Sequence, residues 1–261
     1  MSAESFDTPT LALVDEPGKL GTVVIIHGWC STHATMAPLA RLFPHHRRLR
    51  PDLLGHGSSP LASDYSIEAQ ARAVVSALTA ATCAPRPILI GHSMGAQIAI
   101  ELATSGNVDP SALILLDPAQ IFPVQKVLDF RETFTRALGG QNPGKLVAEL
   151  IRASFTAVED EAEVAAQIAA ALATPAEVVR AAWEAIGNWD GPSAVAKIKC
   201  PTLLISPSKP INRPDAFPKM NGCIMTAQVA GAGHNMQFEV MDQIGPMIRR
   251  FLSLNGLETM L

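Results

Sequence analysis

The sequence predicts an α/β protein built on a doubly wound, mostly parallel sheet that is interrupted by a helical insertion. Three observations carry this. Apolar and β-branched residues run on consecutive positions in Thr22-Val23-Val24-Ile25-Ile26, Ile88-Leu89-Ile90, Ala112-Leu113-Ile114-Leu115-Leu116 and Thr202-Leu203-Leu204-Ile205, as they do in strands covered on both faces. Helical patterns alternate with these runs before residue 117 and again after residue 200, which is the signature of βα units. Between those points the strand signal vanishes, and residues 124–190 are alanine-rich and helical. A chain of 261 residues suffices for one such domain spanning 1–261, with the helical insertion over 118–197.

Composition narrows the function classes. Hydrophobic residues make up 48% and charged residues 17%, so a large core is expected and disorder is not. The net charge of −4 gives no footing for nucleic acid. The one basic cluster, Arg47-Arg48-Leu49-Arg50, reads as a solvated strand edge. No run of about 18 apolar residues marks a membrane span. The stretch from Met1 to Asp7 does not resemble a secretory signal. Cys30, Cys83, Cys200 and Cys223 are scattered without C-x-x-C spacing, the pattern of reduced, mostly buried thiols in a cytoplasmic protein. The histidines form no metal-ligand spacing, so no metal or cofactor is expected. No motif specifies an oligomeric state.

The elements follow in order. Thr10 to Val14 reads as an edge strand ended by a turn at Glu16-Pro17-Gly18, and Thr22 to Ile26 as a buried strand. A helix is expected over Met36 to Phe43 and a strand over His46 to Arg50. Pro51 to Pro60 is a loop dense in turn residues. Ser66 is placed to cap a helix over Ile67 to Ala81. The strand Ile88 to Ile90 then leads into Gly91-His92-Ser93-Met94-Gly95, followed by a helix from Ala96. In the insertion, Leu146, Leu150 and Ser154 with Val147, Ile151 and Phe155 form one helical stripe, and Val164, Ile168 and Leu172 another. Thr174-Pro175-Ala176-Glu177 has the form of a capping box with proline at the first helical position. A strand across Cys223 to Val229 and a last helix over Asn235 to Leu252 complete the chain.

Strand, Gly-x-Ser-x-Gly, helix is the setting of a nucleophile elbow. Small residues two before and two after the serine let strand and helix approach closely. The serine needs a base to become nucleophilic. His234, in Gly231-Ala232-Gly233-His234 after a strand, is the candidate. His27, Asp52, Ser93, Asp117 and His234 all follow a predicted strand, and the carboxyl ends of strands carry the chemistry of such sheets.

These pieces resemble the α/β-hydrolase superfamily in its compact form with a helical cap. The matching residues are His27-Gly28-Trp29, Asp52-Leu53-Leu54-Gly55-His56-Gly57-Ser58-Ser59, the Gly91–Gly95 elbow and Gly231-Ala232-Gly233-His234, in the family's order over most of the chain. The resemblance implies a serine hydrolase that cleaves an ester-like or other acyl bond. Ser93 would be the nucleophile, His234 the base, and the amides of Met94 and Trp29 the oxyanion hole. It gives His27, His56 and Ser58 structural roles, and His92 a supporting one.

The acid departs from the common pattern. Most members carry it after the penultimate strand, where this chain reads Ile205-Ser206-Pro207-Ser208-Lys209-Pro210-Ile211-Asn212-Arg213 and holds no carboxylate. Asp117, after the strand that follows the elbow, is the leading candidate. Asp215 and the lack of any carboxylate partner are the alternatives. The substrate pocket is expected to form under the insertion, with His92, Trp183 and Trp189 among its walls and a small apolar or aromatic molecule as substrate.

A second resemblance points to different chemistry. Cofactor-independent dioxygenases that open the ring of 3-hydroxy-4-quinolones share a His-Gly-Trp-Cys loop like His27–Cys30 and an acid at the position of Asp117. There the His–Asp pair is the base and the serine only orients the substrate. Met94 stands where that group has histidine, and the Asp52 loop lacks its aromatic and arginine.

Overall fold

The computed structural model describes residues 9–140, 142–156 and 161–257, so the reading of Met1–Asp7 lies outside the described residues. Among the described residues, seven strands form one sheet: β1 (Leu13–Glu16), β2 (Leu20–Ile26), β3 (His46–Pro51), β4 (Ile88–His92), β5 (Ala112–Leu116), β6 (Thr202–Ser206) and β7 (Ile224–Gln228). Their spatial order is β1-β3-β2-β4-β5-β6-β7. Every pairing is parallel except β1 against β3.

The continuous apolar runs are explained by two cores, one on each face. On one face Val24, Ile26, Leu89, Leu113 and Leu115 pack with α2 (Ile67–Ala80) and α3 (Met94–Thr104). On the other, Val23, Ile25, Ile90, Ile114 and Leu116 pack with α1 (Ala37–Ala40) and α11 (Met241–Leu254). Alternate residues of β2, β4, β5 and β6 therefore enter opposite cores. Burying one aliphatic side chain of this kind is worth about 1.5–3 kcal/mol, so this register is strongly specified.

Among the described residues, five helices lie between β5 and β6: α4 (Gln125–Leu138), α5 (Pro143–Ala153), α6 (Glu161–Ala173), α7 (Ala176–Asn188) and α8 (Gly191–Ala196). Two short helices, α9 (Ala216–Met220) and α10 (Met236–Glu239), flank β7. Among the described residues no single helix is long and apolar enough to cross a membrane.

Several expectations shift. The first strand begins and ends later than expected, at Leu13–Glu16. The expected helix at Met36 is a 3-10 turn, His33–Met36, running into the four-residue α1. The arginine cluster is not a free edge, because β1 covers β3. Arg47 pairs with Asp15 at 2.6 Å and Arg50 with Glu16 at 3.0 Å. Thr174 is not a cap: Pro175 occupies that position, and the Thr174 hydroxyl instead donates to the Ala170 carbonyl. The final helix is broken at Val240 into α10 and α11.

The stripe of α6 also differs. Its buried residues are Val164, Gln167 and Ala171, while Leu172 is 54% exposed. A glutamine thus lies on the inward face. Ser66 does cap α2, accepting the amide of Ala69.

Candidate active site

The elbow is enforced by close packing. A Cβ at Gly91 would fall 2.3 Å from the Gly95 carbonyl oxygen, and one at Gly95 would fall 2.3 Å from that of Ile26. Only glycine lets strand and helix meet this tightly. Ser93 between them has φ 56° and ψ −119°, a conformation that L-residues rarely hold. It is held there by three backbone hydrogen bonds. Its amide donates to Leu116, and its carbonyl accepts from Ala96 and Ala119. The neighbouring strand β5 and the loop after it therefore fix the serine's backbone.

Asp117 directly follows β5. It is buried, also has positive φ (34°), and donates its amide to the Ile205 carbonyl of β6. One carboxylate oxygen accepts Nδ1–H of His234 at 2.7 Å, and the other accepts the amide of Ile211 at 3.2 Å. The loop after β6, which supplies no acid, thus supplies a backbone donor to the acid after β5. Asn212 locks the two loops together. Its side-chain oxygen accepts the amides of Ile121 and Phe122, both at 2.7 Å, and its Nδ2 donates to the carbonyls of Pro118 and Ala119. A buried side chain with this many partners organises backbone that has no ladder of its own. Asp215 stands apart, exposed and paired with Lys219. That pairing holds its carboxyl below the usual range.

His234 sits in a turn shaped by two glycines. Gly231 has φ 75°, and a Cβ on Gly233 would meet the Ser154 carbonyl at 2.3 Å. The amide of His234 donates to that carbonyl at 2.8 Å. The end of α5 thus grips the histidine turn. Because Nδ1–H is committed to Asp117, Nε2 of the neutral ring is left as the proton acceptor.

Three further histidines, His92, His27 and His56, brace this arrangement. His92 donates Nε2–H to the His234 carbonyl at 2.9 Å, with the two rings 4.6 Å apart. Burial, helped by the nearby His234 ring, pushes the His92 imidazole down to about 3. His27 donates Nδ1–H to Gly28 and accepts the Leu53 amide on Nε2, which fixes its tautomer. Burial and the neighbouring His56 hold it down at about 3. Asp52 accepts from the amides of His33 and Ser58. Burial raises the Asp52 carboxyl, but those donors outweigh it and leave it lowered. His56 donates to the Leu54 carbonyl. Gly28 brings the Trp29 loop against the elbow, since a Cβ there would stand 3.1 Å from the Ser93 Cβ.

Ser93, His234, Asp117, Trp29, His92 and Trp183 all face one cavity of about 260 Å³ between the strand ends and the insertion. Trp29 packs at a tilt of 52° with its ring 5.1 Å from that of Trp183, and donates its indole N–H to the Val179 carbonyl of α7. Met94 lies beneath the serine as the first residue of α3, where an amide has no intrahelical acceptor. Trp189 is a correction. It is buried in the core under α3, its indole N–H donates to Glu101, and it does not line the cavity. It sits just past the end of α7, where helical spacing no longer sets direction.

The model of the alpha/beta hydrolase family matches residues 23–244. The chain belongs to that family. Among curated relatives, lipase LipV of Mycobacterium tuberculosis is 29% identical over 143 residues, covering 55% of this chain and 54% of the lipase. The chain thus spans about half the length of that relative. The pimeloyl-[acyl-carrier protein] methyl ester esterase of Xanthomonas axonopodis pv. citri is 27% identical over 92% of this chain and 98% of its own. Among solved structures, an esterase from Exiguobacterium antarcticum superimposes with a TM-score of 0.83 at 16% identity, covering 93% of this chain and 95% of its own. An enol-lactonase from Burkholderia xenovorans gives 0.79 at 23%, covering 93% and 96%. At those identities the structural likeness shows the fold of this alpha/beta hydrolase family member.

Three cavity groups had no place in the sequence reading: Arg131 of α4, Gln167 of α6, and Gln120 in the loop after β5. A signal for the first existed. Arg131 falls in register with Val127, Phe134 and Leu138 on the inward stripe of α4, where an arginine is out of place unless it faces a ligand or an acid.

Proposed function

We propose that the chain is a serine esterase acting on a small, largely apolar acyl ester. The observation that carries this reading is the 2.7 Å bond between His234 Nδ1 and Asp117 at the mouth of the Ser93 elbow. Ser93 Oγ attacks the ester carbonyl carbon while His234 Nε2 takes its proton. Asp117 holds the tautomer and stabilises the imidazolium. The amides of Met94 and Trp29 receive the developing oxyanion, preorganised by the elbow and by the Gly28 contact. Collapse of the tetrahedral intermediate breaks the C–O bond, and His234 gives its proton to the departing alcohol. Water, deprotonated by His234, then attacks the acyl-enzyme and restores Ser93. Esterase relatives and an apolar wall formed by Trp29, Trp183, Phe130 and Leu150 support the substrate class.

A fluorophosphonate probe read by mass spectrometry tests the proposal. Labelling at Ser93, and loss of p-nitrophenyl ester hydrolysis in Ser93→Ala, are expected. Two observations favour a second reading: the acid follows β5, and the Trp29-Cys30 loop lines the cavity, as in the quinolone dioxygenases' pattern. Oxygen uptake with a 3-hydroxy-4-quinolone that survives Ser93→Ala, with no probe labelling, would replace the esterase by that chemistry.

A further inference from the structure

The cavity lining carries side-chain donors that no described residue satisfies. Arg131 is half-buried and lines the cavity. Its Nε is buried and without a hydrogen-bond partner. Among the described residues no carboxylate lies within ion-pair distance of it, although Arg136, on the same helix, pairs with Glu132. Gln167 is only 8% exposed, lines the same cavity, and its Nε2 is also unpartnered. The Nε2 of Gln120 is a third such donor on that lining. Lys209 adds a second cation, and the one carboxylate among the described lining residues, Asp117, is taken up by His234 and Ile211.

The guanidinium is seated deliberately. A Cβ on Gly187 would fall 1.6 to 1.9 Å from Cζ and both terminal nitrogens of Arg131. The planar group therefore lies flat on a glycine near the end of α7. A glycine inside a helix weakens it relative to alanine, and here its absence of a side chain makes room for the arginine. The bland account is a cation complementing the C-terminus of α7. Such a cation would donate to the last carbonyls of the helix, but Arg131 makes no hydrogen bond to any described residue. Buried donors that stay unpaired are costly, and they are satisfied when an acceptor arrives.

We infer that the substrate carries a carboxylate, which Arg131 binds together with the amides of Gln167 and Gln120 while its ester carbonyl meets Ser93. This rests on the esterase reading for the reaction, but the anion seat stands independently of it. The class is then the half-ester of a short dicarboxylic acid: apolar methylenes between one ester and one free carboxylate. Arginine suits the second end because its fork matches a carboxylate in two bonds.

Monomethyl and dimethyl adipate test this, with kcat/KM measured for each and binding of monomethyl adipate read by calorimetry. The wild type should favour the half-ester. Arg131→Gln should lower the half-ester to diester ratio by about 10- to 100-fold, the worth of a hydrogen bond to a charged group. Arg131→Lys should recover part of it. Gly187→Ala, which displaces the guanidinium without changing any charge, should lower the ratio as well. An unchanged ratio in Arg131→Gln would overturn the proposal. If neither ester turns over and Ser93 is not labelled by fluorophosphonate, the esterase reading fails. Calorimetry then still decides: weaker binding of monomethyl adipate to Arg131→Gln supports the seat, and equal or absent binding in both proteins overturns it.

Discussion

The two walls of the cavity are built on opposite principles. On the strand-end wall almost every polar group is spoken for. Asp117 uses both carboxylate oxygens, and behind it, off the cavity itself, His27 uses both ring nitrogens and Asn212 its carbonyl and its amide. On the helical wall Arg131 Nε and Gln167 Nε2 are buried and unpaired. Preorganisation explains the first wall. Groups that act on a developing charge work best when no reorganisation is left to do. The second wall stores unmet donors, which is how a site rejects molecules lacking the matching acceptor. In the proposed esterase, chemistry and selectivity are thus divided between sheet and insertion. They meet at Ser154, whose carbonyl receives the amide of His234.

Asp117→Asn should have the largest effect on that division. The amide oxygen can still accept from Ile211, but an NH₂ group facing Nδ1 selects the wrong tautomer of His234. A fall in kcat of about 10⁴-fold is expected, with the thermal midpoint little changed. An unaltered kcat on p-nitrophenyl acetate would mean that the saturated wall is scaffold alone.

Asn212→Leu attacks the same wall through its scaffold. It strips partners from two buried amides and two carbonyls, at a cost of about 3 kcal/mol by urea unfolding. Turnover should fall by less than in Asp117→Asn, because the Asp117–His234 bond itself is intact. A stability loss below about 1 kcal/mol would show that the loops hold without the pin.

Acid should loosen this wall before it touches the other. His92 and His27 are held at about 3 in the folded protein, against about 6.5 when unfolded. Below pH 6.5 the unfolded chain takes up protons that the folded chain refuses, so stability falls as the pH drops from about 6.5 toward 3. The slope is about 1.4 kcal/mol per pH unit for each histidine. Urea midpoints at pH 7 and pH 5 read it, and His92→Gln should remove one histidine's share. Equal slopes in the two proteins would contradict a neutral, buried His92.

The sequence exposed the saturated wall far better than the open one, and the reason is physical. Gly91 and Gly95 must be glycine because backbone atoms stand 2.3 Å from where a Cβ would be, so the elbow leaves a mark in the chain itself. Strand ends are legible as apolar runs stopping, and Asp117 stands directly after one; His234, six positions past β7, is marked instead by Gly231 and Gly233. Asn212 left no mark, because its four partners come from residues about 90 positions away. The helical wall depends on which face of each helix turns inward. For α6 the aliphatic spacing suggested Ile168 and Leu172 beside Val164, whereas Val164, Gln167 and Ala171 are the residues turned inward. Arg131 was readable in principle from its place on the stripe of α4, yet arginine is common on helix surfaces and its register alone does not announce a ligand.

The tryptophans give the mildest test of the same contrast. Trp183 belongs to the cavity, packed 4.8 Å from Phe134 and 5.1 Å from Trp29 with its indole N–H on Thr135. Trp189 belongs to the core and anchors Glu101 of α3. Trp189→Phe keeps the packing and loses one hydrogen bond, so about 1 kcal/mol of stability should go while KM stays put. Trp183→Phe should leave stability within about 0.5 kcal/mol and shift KM, because the ring that narrows there faces the substrate. If Trp189→Phe moves KM and Trp183→Phe does not, the boundary between core and cavity has been drawn on the wrong side of α7.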